Sequence, residues 1–234
     1  MDNIFFYKIS LYLNIFKYRL RFIFKNTNNN ENIVFLKKYF NNKRKGIYID
    51  VGAYHPIRLS NTMFLYDTGW KGINIDISKK SIDLFNLVRP RDINLNIAIG
   101  YKNLFTKFYF SKDLSPINSL DKKFFRQMTN KKIKTKKIEM VTLDSVLKKY
   151  IPRKKINLLD VDVEGNDLEV LKGLNLKKNK IELIMIEAHG YNRKMKEKAK
   201  KISKILKKNN FQIINGTIPG NCIFKNIDFK KKKK

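Results

Sequence analysis

Five short, nearly continuous apolar runs recur along the chain, and strands of that kind need burial on both faces. The first is Gly46-Ile47-Tyr48-Ile49-Asp50-Val51-Gly52; Ile73-Asn74-Ile75-Asp76, Leu95 to Ile99, Ile156 to Val163 and Ile181 to Glu187 follow. Helical patterns separate most of them. Ser78 to Val88 carries Ile82, Phe85 and Val88 on one side, and Thr142 is a suitable N-cap for Leu143 to Tyr150. Asn166 or Asp167 caps a short helix that Gly173 closes, and a last Lys-covered helix shows the stripe Met195, Ala199, Ile202 and Leu206. Strands alternating with helices predict an α/β fold with a mostly parallel, doubly wound sheet. The ending breaks the rhythm: Phe211 to Ile214 and Asn221 to Lys225 flank a Gly/Pro turn and predict a C-terminal antiparallel hairpin.

With 234 residues the chain has room for one sizeable domain. Residues 33–229 are expected to form it, with an insertion over 101–141 beside the active-site edge. That insertion holds a strand Leu104 to Phe110, a polar turn at Ser115-Pro116-Ile117-Asn118 and a Lys-rich stretch from Lys122 to Lys137. Ahead of the domain lies a segment over 1–32, with a helix expected from Ile33 to Phe40. Its first 25 residues are aromatic and aliphatic but interrupted by Lys8, Asn14, Lys17, Arg19 and Arg21, and asparagines crowd residues 26–32. Those interruptions are incompatible with a spanning helix, and the segment lacks the layout of a secretory signal. Two readings stay open for it: a helix on an anionic membrane surface, or one packed on the domain or a second subunit. Residues 230–234 are a basic tail.

Lys and Arg number 51 against 20 Asp and Glu, a net charge of +31. Such a surface attracts polyanions: nucleic acid, anionic lipid or acidic polysaccharide. An AT-rich coding sequence would also enrich Lys, Asn and Ile. A single cysteine, Cys222, rules out an internal disulfide framework, and two histidines, His55 and His189, cannot build a three-histidine metal centre. A cytoplasmic enzyme is the expectation, with peripheral membrane association through residues 1–25 as one of the two readings left open for that segment.

Ligands in open α/β sheets bind where strands end at their carboxyl edge. Asp50-Val51-Gly52 ends the first strand, and a glycine there allows close backbone approach. There is no G-x-G-x-x-G and no P-loop. Asp76 ends the second strand, where a carboxylate can accept hydrogen bonds from both hydroxyls of a ribose. Together these point to an adenosine-bearing ligand without a diphosphate cradle, which suggests S-adenosylmethionine. Asp160, Asp162 and Glu164 alternate in the next motif and lie on one face of an extended strand. Cofactor binding, general-base catalysis and a divalent metal with His189 are the three readings, the last with an incomplete ligand set. His189, after the following strand, is a general-base candidate.

These residues resemble the FkbM family of S-adenosylmethionine-dependent methyltransferases. The resemblance rests on Tyr48-Ile49-Asp50-Val51-Gly52-Ala53-Tyr54-His55-Pro56, Ser60-Asn61-Thr62 and Gly69-Trp70-Lys71-Gly72-Ile73-Asn74-Ile75-Asp76. Arg89 to Ile99, Val141 to Leu147 and Asp162-Val163-Glu164-Gly165 continue it in order. It implies a Rossmann-like class I methyltransferase that uses S-adenosylmethionine, with O-methylation of a sugar, glycan or related natural product as the expected reaction. By position it implies cofactor contacts from Asp50, Gly52, Ala53 and Tyr54, from Ser60, Asn61 and Thr62, and from Asp76 and Ile77. Asn96, Ile97 and Ala98 fall where adenine should sit, and Asp162 and Glu164 fall at the methyl-transfer edge. His189, Asp162 and Glu164 are the catalytic candidates; no metal is assigned. Ile77-Ser78 and Asp160 depart from the family pattern. Two alternatives stand beside O-methylation. One is a nucleic-acid methyltransferase, not favoured since no Asn-Pro-Pro-Tyr-like tetrapeptide is present. The other is a non-catalytic polyanion- or membrane-binding module on the same fold, which would not need the acidic strand ends.

Overall fold

The computed structural model describes residues 2–25, 31–41, 45–188, 192–217 and 220–229. Two helices, α1 (Asp2–Lys25) and α2 (Glu31–Phe40), precede β1 (Ile47–Val51), α3 (Met63–Asp67), β2 (Lys71–Ile75), α4 (Lys79–Val88) and β3 (Ile93–Leu95). Then come β4 (Ala98–Gly100), β5 (Leu104–Phe110), α5 (Lys122–Met128) and β6 (Lys134–Thr142). The chain ends through α6 (Leu143–Tyr150), β7 (Ile156–Val161), α7 (Asp167–Lys172), β8 (Ile181–Ala188), α8 (Arg193–Lys208), β9 (Phe211–Gly216) and β10 (Gly220–Asn226).

Seven strands form the main sheet in the order β3-β2-β1-β7-β8-β10-β9. The first five are parallel, and β10 runs antiparallel to both β8 and β9. This is the Rossmann-like sheet with a closing hairpin that the strand pattern predicts. Side chains alternate between its faces as the pleat requires. Tyr48, Leu158 and Leu183 share a register row and pack with Leu36 and Phe40 of α2 and with Trp70. The next row, Ile49, Leu159 and Ile184, faces the opposite way, onto α6, α7 and α8. Fully burying each such aliphatic side chain contributes roughly 1.5–3 kcal/mol.

Successive strands step outward from β1 to β2 and β3 on one side, and from β7 to β8 on the other. The order therefore reverses between β1 and β7, which opens a crevice beyond their carboxyl ends. Capping side chains fix the helices that follow the strands: Ser78 Oγ accepts the N–H of Ser81 at 3.2 Å, and Thr142 Oγ1 accepts that of Ser145 at 3.2 Å.

The chain departs from the expected pattern just before the insertion and within it. The run Leu95 to Ile99 is not one strand: β3 ends at Leu95, and β4 belongs to a second sheet, ordered β4-β6-β5. The side-chain amide of Asn96, between them, donates back to the Asp76 carbonyl at 2.9 Å. The Lys-rich stretch divides between helix α5 and the first four residues of the nine-residue strand β6. Those four residues are exposed, and only Ile138 and Met140 of β6 turn into the small core with Phe108 and Phe110. Lys137 lies over the Phe105 ring at 4.7 Å, so its aliphatic stem covers aromatic surface.

Helix α1 packs on α4 and on the loop after β1. Among the described residues no helix is long and apolar enough to cross a membrane. Residues 26–30 of the asparagine-rich segment and the basic tail lie outside the described residues.

Candidate active site

Strand β1 delivers its last residues to the crevice through a turn that only glycine fits. Gly52 has φ +89°, and a Cβ there would lie 1.8 Å from the Asp162 carbonyl oxygen. The approach is imposed by pairing, because the Asp162 N–H donates to the Val51 carbonyl at 2.9 Å. The glycine is thus required by the neighbouring strand end itself. Beyond it, the N–H groups of Gly52 and Ala53 both donate to the Ile75 carbonyl, at 2.9 and 3.1 Å. The β1 loop is therefore tied to the end of β2.

That tie places Asp76. Its Oδ2 accepts the N–H of Tyr54 at 2.8 Å and its Oδ1 accepts that of Ser78 at 2.7 Å. Tyr54 reaches this position with φ +52°, a strained value for a bulky residue. Each carboxylate oxygen keeps capacity for a second donor. Burial pushes the Asp76 pKa up to about 6, and the two backbone donors oppose that rise. Gly52, Tyr54, Asp76, Ile77, Ile97, Asp162 and Glu164 line one cleft here. Ser115, Pro116 and Asn118 of the insertion turn close over it, leaving only 40 Å³. Ser119 Oγ anchors that turn by donating to the Glu164 carbonyl at 2.7 Å. Drug-sized ligands occupy about 300–1,000 Å³, so this cleft by itself encloses only part of a nucleoside cofactor.

A second recess of 250 Å³ adjoins the first and is walled by carboxylates. Asp50 and Asp160 stand side by side on paired strands, 5% and 4% exposed. The Ser60-Asn61-Thr62 loop satisfies both: Thr62 Oγ1 donates to Asp50 Oδ2 at 2.6 Å, and Asn61 Nδ2 donates to Asp160 Oδ2 at 3.0 Å. Burial raises the Asp50 pKa to about 6, opposed by the Thr62 hydrogen bond and Arg89. Asp160 is raised too, by burial first and then by the Asp50 charge. Asp160, the departure from the family pattern, thus has a dedicated partner.

Asp162, Glu164 and Glu187 each bring a carboxylate oxygen to within 4.8 Å of the others. Glu164 holds φ +54°, another strained position at the site. Burial, then the Asp162 charge and a hydrogen bond to Asp162, push the Glu187 pKa up to about 10. Glu187 is therefore protonated at neutral pH, which relieves the repulsion three clustered carboxylates would otherwise suffer. Three oxygen donors also suit a hard divalent cation.

Of the residues expected at the site, Asp50, Ala53, Ser60 and Asn61 line the second recess. Thr62 is buried beneath it, joined to Asp50 and Arg89. Ala98 is 1% exposed in the core of the small sheet, while Asn96 stands exposed at the outer rim. His189 lies outside the described residues. His55 is buried away from the cleft: its Nδ1 accepts the N–H groups of Ile57 and Arg58, and its Nε2 meets Asn14 Oδ1 at 2.8 Å. Burial pushes its pKa down to about 3, so it is neutral.

Two residues escaped the sequence reading. Glu187 sits two residues before His189, at a strand end already marked by its neighbour. Arg89 is fully buried, and its guanidinium donates to Ser60 Oγ, Thr62 Oγ1 and the Pro56 carbonyl.

The family model described as the methyltransferase FkbM domain matches residues 50–213, well over half of the chain. The chain belongs to the FkbM methyltransferase family. It is accordingly a S-adenosylmethionine-dependent methyltransferase, and the match spans both carboxylate-lined recesses. A search of the curated proteins finds no match. Among solved structures, the TehB-like SAM-dependent methyltransferase from Corynebacterium glutamicum ATCC 13032 is similar, at 10% identity and a TM-score of 0.42. That similarity covers 91% of this chain and 97% of the other; at such a score no argument rests on it.

The residues of this FkbM enzyme suit the cationic cofactor its family uses. Asp162 Oδ1 is buried with no hydrogen-bond donor against it, and the surrounding wall is anionic. A ligand bearing a sulfonium and an ammonium complements both features.

The Glu187 assignment carries a stability consequence. Its pKa is raised on folding, so the native state holds a proton that the unfolded chain has released between pH 4.5 and about 10. Stability from this group therefore falls as pH rises through that window. From pH 6 to pH 9 the urea midpoint of wild type is expected to fall further than that of Glu187→Gln. Parallel declines would place the Glu187 proton elsewhere.

Proposed function

We propose that this enzyme methylates a hydroxyl group on a sugar, a glycan or a related natural product. The observation that carries the reading is the Asp162 carboxylate, with Oδ1 buried and without a donor, beside Glu187 and Glu164. A hydroxyl is a weak nucleophile at neutral pH and must lose its proton as it attacks, so a positioned carboxylate is the group it requires. S-adenosylmethionine, when bound, supplies an electrophilic methyl on sulfur.

The protein's own residues do the rest. Asp76 accepts the ribose hydroxyls, while Ile77 and Ile97 offer apolar surface to the adenine. The carboxylate wall holds the cationic end and orients the acceptor, and orientation alone supplies much of the acceleration in such a transfer. Asp162 takes the hydroxyl proton and is neutralised by it, with Glu187 hydrogen-bonded beside it. The same wall opposes phosphate groups, which speaks against a nucleic-acid backbone at this edge despite the +31 charge.

Two experiments test this. Incubation with methyl-labelled S-adenosylmethionine and a panel of glycans, free sugars and RNA is expected to yield a methyl ether, located by NMR. Label recovered on RNA or on nitrogen would overturn the assignment. Asp162→Asn is expected to lower kcat about 100-fold or more; a folded variant with kcat near wild type would remove Asp162 from proton transfer.

A further inference from the structure

Helix α1 presents its faces in reverse. The side turned to the protein is largely polar and paired: Tyr7 donates to Asp83 Oδ2 at 2.7 Å, Asn14 meets the buried His55 at 2.8 Å, and Arg58 donates to the Tyr18 hydroxyl at 3.3 Å. Leu11, 4% exposed, is the apolar contact between them. Tyr7, Leu11, Asn14 and Tyr18 follow helical spacing, so this stripe is fixed to the protein and the helix cannot roll.

The opposite stripe is apolar and open. Phe5, Ile9, Tyr12, Phe16 and Leu20 recur at three- and four-residue spacing, with Leu13 beside them. Phe5, Tyr12, Leu13 and Phe16 are each 60–63% exposed. A contiguous apolar face of this kind marks an interaction site. Helical spacing sets Lys8 and Arg19 along one edge and Lys17 and Arg21 along the other, and all four are exposed. Lys8 and Tyr12 also border a 920 Å³ cavity between α1, α4 and the small sheet, where Lys80 and Lys137 add positive charge while Lys79 and Lys136 pair with Asp83 and Asp113.

We propose that α1 is an interfacial helix that docks the enzyme on an anionic lipid surface, its aromatic stripe inserted among the acyl chains and its two cationic edges on the headgroups. An apolar stripe edged by cations is the pattern such a helix needs. A second copy of the chain is a poor occupant. The sequence from Asn3 to Lys25 contains no Asp or Glu, so paired helices would set cations against cations. Each copy also carries +31. The proposal does not depend on the identity of the methyl acceptor.

Vesicle co-sedimentation of the full chain tests it, with phosphatidylcholine vesicles prepared with and without phosphatidylglycerol. Wild type is expected in the pellet with the anionic vesicles and in the supernatant with the neutral ones. The double variant Leu13→Glu/Phe16→Glu alters only exposed positions, and an unchanged thermal melt confirms its fold. It is expected to lose partitioning by about tenfold or more. Lys17→Gln/Arg21→Gln is expected to weaken it as well. Wild-type partitioning by the Leu13/Phe16 variant would overturn the proposal, because net charge alone would then explain binding. So would a lipid-free dimer that this variant dissociates, with no vesicle binding by wild type.

Discussion

Replacing Asp76 by alanine is expected to weaken S-adenosylmethionine binding at least tenfold, about 1.4 kcal/mol, in calorimetric titration. The substitution removes the acceptor for the ribose hydroxyls. It also strips the N–H groups of Tyr54 and Ser78 of the carboxylate that holds them at 2.8 and 2.7 Å. Tyr54 then has less to maintain its positive φ, so the cleft wall loosens as well. Asp76→Asn separates the two effects, since one amide oxygen can still accept a backbone N–H. It is expected to fall between wild type and alanine. Wild-type affinity in a folded Asp76→Ala protein would place the ribose elsewhere.

The largest stability effect is expected at Arg89. This side chain is 0% exposed, and it donates at 2.6 Å to Ser60 Oγ, at 2.6 Å to the Pro56 carbonyl and at 2.8 Å to Thr62 Oγ1. Its guanidinium also lies 4.9 Å from the Phe85 ring and offsets the Asp50 charge. Arg89→Met keeps most of the volume and removes every donor. Each buried acceptor left without its donor costs about 1–3 kcal/mol, and with three of them stripped a loss of several kcal/mol is expected from urea unfolding. Asp50 is then expected to hold its proton to higher pH, and the loop carrying Asn61 loses its anchor. A loss below about 1 kcal/mol would mean that water replaces the guanidinium, as at an exposed ion pair.

Most of the parallel sheet is legible in the sequence, because each central strand must be apolar on both faces and few other structures demand that. Tyr48 to Val51, Ile73 to Ile75 and Ile181 to Ile186 announce themselves this way. Strand β6 does not, since its first four residues face solvent as Lys and Thr and its partner β5 supplies much of the apolar surface. The break at Asn96 and Ile97 is equally hidden: one apolar run reads the same whether it serves one sheet or two. At the site, the strand-end carboxylates are visible because apolar packing does not explain them. Their partners are not. Asn61 meets Asp160 across 99 residues of sequence, and nothing local distinguishes the buried Arg89 from the surface Arg91 two positions later.

Calorimetric titration of S-adenosylmethionine into the full chain, repeated in buffers of different ionisation enthalpy, reads affinity and proton release together. If the carboxylate recess is built for a cationic cofactor, binding is expected in the micromolar range. Because Asp50 and Asp76 sit near pH 6 and Glu187 near 10 in the free enzyme, a bound cation lowers those pKa values. Protons are then released on binding, and affinity rises from pH 5.5 to pH 7.5. Absence of binding by folded protein, or binding with proton uptake, would contradict the account.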